Sequence, residues 1–94
     1  WLAYLTPKDR LLVKRFPIYP EQTYGEMTAA TLSIWYQGRQ ICELEPIGPW
    51  EELAQGEQAF FQEEWWLAPL AFPKDRNVSA RRIRQRVMDL IESN

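Results

Sequence analysis

Histidine is absent from the 94 residues, and cysteine occurs once, at Cys42. Without histidine the chain lacks the commonest general base, so Ser-His-Asp and Cys-His catalysis cannot be completed within it. One cysteine excludes an internal disulfide framework, and one cysteine with no histidine excludes the usual zinc clusters. The four glycines are scattered, so no glycine-rich phosphate loop is present. No apolar run approaches the roughly 18–20 residues of a membrane-spanning helix. No signal peptide is visible and the compartment stays open. Neither a metal nor a cofactor is expected, and neither nucleic acid nor membrane is expected as a partner.

What is present is a globular composition. Hydrophobic residues are 46% and charged residues 26%, a balance that excludes disorder by composition. The net charge of −2 gives no strong bias toward polyanions. Aromatic residues reach 14%, with five tryptophans, which is heavy for one small domain. The chain opens on Trp1-Leu2-Ala3-Tyr4, and this leads us to expect a segment of something longer. Charge is unevenly distributed: Gln40 to Pro73 carries seven glutamates and no lysine or arginine, while Lys74 onward carries six basic and three acidic residues. Solvated or mutually complementary surfaces are the simplest account of that pattern.

Seven prolines (Pro7, Pro17, Pro20, Pro46, Pro49, Pro69 and Pro73) exclude long helices before residue 74. Strand-like runs lie between them. Leu2 to Leu5 is short and apolar. Leu11 to Phe16 follows a Pro-Lys-Asp turn and meets Pro17, a strand end or edge signal. Thr31 to Tyr36 alternates, with Leu32, Ile34 and Tyr36 on one face; Gln37-Gly38 reads as a tight turn and Gln40 to Glu45 as the returning arm. Trp50 to Leu67 suits a helix and a strand about equally, because its aromatic residues fit both periods. Ser79 can cap a C-terminal helix whose apolar positions Ile83, Val87, Leu90 and Ile91 fall on one stripe. Arg81, Arg82, Arg84 and Arg86 then project mostly off that stripe, toward solvent, phosphate or an acidic partner. The expected division is an antiparallel β segment over 1–72 and a basic amphipathic helix over 73–94.

Glu43 and Glu45 are the first candidates for chemistry. At positions i and i+2 of a strand they share a face, about 6–7 Å apart. Such a pair could share acid/base work, although an exposed polar strand face is the commoner role. The aromatics Trp35, Tyr36, Trp50, Phe60, Phe61, Trp65 and Trp66 could stack on the apolar faces of a sugar, although core packing is the commoner role for such rings. Lys14 and Arg15 lie on opposite faces of a strand, so at most one joins a given site. Cys42 reads as a small buried side chain with no activating cation nearby.

The order of these motifs resembles the C-terminal part of galactose mutarotase-like proteins, in particular an uncharacterised bacterial branch related to aldose 1-epimerases. Leu12-Val13-Lys14-Arg15-Phe16-Pro17 comes first, then Ile41-Cys42-Glu43-Leu44-Glu45-Pro46-Ile47-Gly48-Pro49. The turn Leu53-Ala54-Gln55-Gly56-Glu57 and the Trp-rich run Gln62 to Leu67 follow. The likeness covers about residues 1–70. It implies a mainly β fold: antiparallel strands forming part of a galactose mutarotase-like supersandwich, followed by the C-terminal α-helix. It implies that Trp50 to Ala54 and Gln58 to Leu67 are strands on either side of the Gly56 turn. It also implies a carbohydrate ligand, with Glu45 as catalytic base and Glu43, Lys14, Arg15, Trp35 and Trp50 around the substrate. The family's general acid is a histidine on an earlier strand, and this chain has none, so an epimerase reaction would not be complete here. An uncovered sheet would need self-association, an N-terminal companion or its own helix as a lid. The alternative class is a small non-enzymatic β module for protein interaction or assembly.

Overall fold

A computed structural model describes residues 1–38 and 40–93 of the chain. These residues are mainly β, with antiparallel strands in two small sheets and one C-terminal helix. They divide into two compact units, one formed by 1–15 with 63–94 and the other by 16–62.

The first unit begins with β1 (Leu2–Thr6) and β2 (Arg10–Arg15), joined by the turn that Pro7, Lys8 and Asp9 impose. Thr6 organises that turn, because its hydroxyl accepts from the N–H groups of Lys8 and Arg10, both at 3.3 Å, and its carbonyl accepts from Asp9. Asp9 takes the left-handed conformation (φ 61°), which Asp tolerates better than most residues. The third strand, β3 (Glu64–Pro69), pairs antiparallel with β2, with Val13 opposite Trp66 and Arg15 opposite Glu64. The sheet order is therefore β1-β2-β3, with β2 central. Pro69 is tolerated because β3 is an edge strand.

Alternation along β2 sends Leu11 and Val13 to one face, together with Ala3 and Leu5 of β1 and Trp66 and Ala68 of β3. The helix α1 (Ala80–Glu92) covers this face. Ser79 is its N-cap, accepting from the Arg82 N–H as its position in the sequence predicts. Val87 is fully buried with Leu11 and Val13, and Ile83, Leu90 and Ile91 pack around them. The segment expected to be helical over 73–94 starts later than that span, at Ala80. Pro73 to Arg76 instead closes a turn through Arg76 N–H to the Pro73 carbonyl, 2.9 Å, and Asn94 lies outside the described residues. Asp9 fastens the connecting arm: its carbonyl accepts from Leu70 N–H (3.2 Å) and its carboxylate from Phe72 N–H (2.7 Å).

The second unit holds the hairpin β4 (Leu32–Gln37) and β5 (Ile41–Pro46). The expected alternation is observed: Leu32, Ile34 and Tyr36 face Pro46, Leu44 and Cys42, while Ser33 and Trp35 face Glu45 and Glu43. The first arm runs one residue further than expected, to Gln37, and the second starts one residue later, at Ile41; Gln40 N–H returns to the Gln37 carbonyl at 3.3 Å and Gly38 takes φ 54°. Pro46 does not stop the pairing, since Ile47 N–H still reaches the Thr31 carbonyl at 3.0 Å. Bonded and non-bonded pairs alternate along an antiparallel ladder, so Pro46 occupies a position where its missing N–H is not required.

The expectation of strands at Trp50 to Ala54 and from Gln58 is not met. A strand needs a ladder partner, and β2 offers one only to residues 64–69. The bonds of residues 50–57 are isolated ones. Trp50 N–H bonds the Thr23 carbonyl at 2.7 Å, and the turn at Gly56 (φ 87°) closes through Glu57 N–H to the Ala54 carbonyl at 3.0 Å. The turn at Gly56 is the one the sequence predicts. Tyr24 is buried, and its hydroxyl accepts from Tyr19 N–H.

Candidate functional site

The sheet period brings three of the expected site residues together. Glu43 lies directly across from Trp35 and Glu45 directly across from Ser33, and all four project from one face of the β4–β5 hairpin. They line an open groove of about 290 Å³. Cross-strand neighbours on one face stand about 4.5–5.5 Å apart at Cβ, so an object the width of a sugar ring can touch both members of a pair. Trp35 is 48% exposed and supplies a flat apolar surface. Two carboxylate side chains and the Ser33 hydroxyl flank it with acceptors and one rotatable donor. That combination matches the two kinds of surface a pyranose presents: an apolar C–H face and a rim of hydroxyls.

The remaining expected residues are elsewhere. Trp50 belongs to the same unit but stands in the loop after Pro49, 60% exposed, with its ring laid against Gly25. A methyl group at residue 25 would overlap the Trp50 indole, so only glycine permits that approach. Lys14 and Arg15 belong to the other unit and are engaged there. Lys14 Nζ lies 4.4 Å from the centre of the Trp65 ring and 4.0 Å from a Glu63 carboxylate oxygen. On the opposite face, Arg15 donates through Nε and Nη2 to both oxygens of Glu64, each at 2.9 Å, with its guanidinium 5.2 Å from the Trp66 ring. The opposite-face reading of Lys14 and Arg15 therefore agrees with the structure. Each of them holds β3 against β2 through a neighbouring carboxylate and ring.

Ser33 is the groove residue that sequence reasoning overlooked. Its signal was available in principle: once the hairpin register is set, the residue two before Trp35 must face Glu45. Core packing for most of the aromatic residues is not observed. Trp66 packs against the core cluster, whereas Trp35, Tyr36, Trp50, Phe60 and Trp65 are exposed. The face of the first sheet away from the helix carries three of the exposed apolar side chains, Tyr4, Trp65 and Leu67. Cys42, which the sequence reading buries, is a half-buried free thiol on the other face of the hairpin from the groove. Among the described residues, no three His, Cys, Asp or Glu side chains converge on a possible metal position, and no helix is long and apolar enough to cross a membrane.

A comparison with protein-family models gives no match, and neither the curated proteins nor the solved structures yield one. Function therefore has to be argued from the residues themselves.

Proposed function

We propose that the chain is a carbohydrate-recognising part of a galactose mutarotase-like β-sandwich and is not a complete epimerase by itself. The observation that carries this is the hairpin face on which Trp35 stands across from Glu43, with Glu45 and Ser33 in the adjacent row. The indole would stack on the C–H face of a pyranose, while Glu43, Glu45 and Ser33 would take hydroxyl hydrogen bonds. Glu45 is the candidate base for an anomeric hydroxyl. The absence of histidine removes the ordinary partner acid, whose contribution to such chemistry is about 10²–10⁴-fold. The groove is open to water on most sides, so affinity should be weak, on the order of millimolar.

NMR titration with galactose and glucose tests the binding. The expected result is saturable shifts at the Trp35 indole and at the amides of residues 33–35 and 43–45, lost in Trp35→Ala. Wild-type spectra unmoved by either sugar would end the proposal. Polarimetry tests the second half. Anomer interconversion by the chain alone, abolished in Glu45→Gln, would show that the reaction is complete here after all.

A second reading, a non-enzymatic β module for protein interaction or assembly, is favoured by a different observation. Trp65 and Leu67 are 63% and 70% exposed on the sheet face opposite the helix. An apolar sheet face of this kind ordinarily meets another protein layer. It predicts an increase in native mass, or capture of a partner sheet, with no sugar-dependent shifts on the hairpin.

A further inference from the structure

The two units carry opposite charge. The unit of residues 1–15 and 63–94 contains ten Lys and Arg against six Asp and Glu, a net charge of +4. The unit of residues 16–62 contains one Arg against seven Glu, a net charge of −6. Within the positive unit, one flank of α1 and the arm before it border an open groove of about 460 Å³, lined by Leu70, Arg81, Arg82 and Arg86 among others, with Asp89 the one carboxylate among the described lining residues. Arg82 spends one donor on the Ala71 carbonyl at 3.0 Å, which fixes the guanidinium at the groove and leaves further N–H groups of its five. Within the negative unit, Glu51, Glu52 and Leu53 are exposed in the segment between Trp50 and the Gly56 turn.

We infer that copies of this chain associate head to tail, with the Glu51-Glu52-Leu53 segment of one copy seated in the arginine-lined groove of the next. The carboxylates would take N–H donors from Arg81, Arg82 and Arg86, and Leu53 would lie against Leu70 and the aliphatic stems of the arginines. Two carboxylates beside an apolar residue match a lining of three arginines and one leucine, in which Asp89 is the opposing charge. The surfaces that meet are different, so the contact is heterologous and builds a ring or an open chain. It uses neither Trp35 nor the carboxylates of the hairpin and stands independently of sugar binding.

Sedimentation velocity over a range of protein and salt concentrations tests it. The expected result is a mass that rises with protein concentration and falls toward the monomer as salt screens the contact. Glu51→Arg with Glu52→Arg, and separately Arg81→Glu with Arg86→Glu, should each weaken association by at least roughly tenfold. Mixing the two variants should restore it, because each then offers a complementary surface to the other. If charge reversal in the helix lowers its circular dichroism signal, Arg81→Gln with Arg86→Gln replaces that pair, with a smaller expected loss. A wild-type chain that stays monomeric at every concentration would overturn the inference. So would association that strengthens with salt, or that survives both variants, either of which would assign the contact to an apolar face.

Discussion

Asp9 offers the sharpest test of how the first unit is held together, because one residue there does three separable things. Its backbone occupies the left-handed region (φ 61°), its carbonyl accepts from Leu70 N–H, and its carboxylate accepts from Phe72 N–H at 2.7 Å. Leu70 and Phe72 both pack against the core cluster, so this one turn residue ties the arm leading to α1 onto the β1–β2 end of the sheet. Asp9→Ala removes the side-chain acceptor, worth about 1 kcal/mol for an exposed hydrogen bond. It also places a Cβ-bearing residue without a compensating polar group at positive φ, which costs about 1–2 kcal/mol. The sum is about 2–3 kcal/mol. Asp9→Gly loses the acceptor but removes the conformational cost, so its net effect should be about 1 kcal/mol or less. Asp9→Asn keeps an oxygen acceptor and the tolerance for positive φ, and should be the mildest of the three.

Urea unfolding followed by circular dichroism would rank them, and amide exchange at Phe72 would report the hydrogen bond directly. Ala should have the lowest midpoint, Gly an intermediate one and Asn the highest. Phe72 protection should fall in Ala and Gly and persist in Asn. Equal midpoints for Ala and Gly would show that the backbone conformation contributes nothing. Unchanged Phe72 exchange in Asp9→Gly would show that the carboxylate is not holding the arm.

Leu11→Ala, at a fully buried position beside Val13 and Val87, should destabilise the unit by about 2–5 kcal/mol, read from the denaturation midpoint. Ser79→Ala should lose the cap on Arg82 N–H and about 1 kcal/mol, with fraying confined to the first turn of α1 by amide exchange. Gly25→Ala should expel the Trp50 indole, seen as a displaced Trp50 Nε1–H resonance and loss of contacts between residues 25 and 50; an unmoved resonance would refute that packing.

The parts of the fold that were legible in the sequence are those fixed by neighbours in the chain. Ser79 reaches Arg82 N–H three residues on, and Ile83, Val87, Leu90 and Ile91 recur with the helix period, so both the cap and the buried stripe could be read directly. The hairpin was equally local: alternation alone placed Glu43 and Glu45 on one face. The Trp50 to Glu63 stretch failed for the opposite reason. Its aromatic residues fit two periods, and what decides its conformation is whether another strand is there to pair with it. Only from Glu64 does β2 supply that partner, from about fifty residues away in the chain. The same distance hid the fates of Lys14 and Arg15. Side-chain direction along β2 was readable, but engagement with Glu63, Trp65 and Glu64 depends on the β2–β3 register. Ser33 needed the hairpin register as well, which the turn sets and which the Gln37-Gly38 signal alone leaves open by a residue.

The exposed surface constrains the proposals jointly. Trp65 and Leu67 are 63% and 70% exposed on the sheet face opposite the helix. A monosaccharide on the Trp35 groove touches one hairpin face and leaves Tyr4, Trp65 and Leu67 as they are. Sugar binding can therefore account for the groove, but it cannot account for the apolar sheet face. If a protein layer covers that face, Trp65 and Leu67 should lose solvent accessibility on assembly whether or not sugar is present. If those two side chains remain solvent-accessible in every assembled state, the sandwich part of the proposal fails even where the carbohydrate part succeeds. The two claims are thus separable on different residues of different units, Trp35 for the ligand and Trp65 for the proposed covering layer.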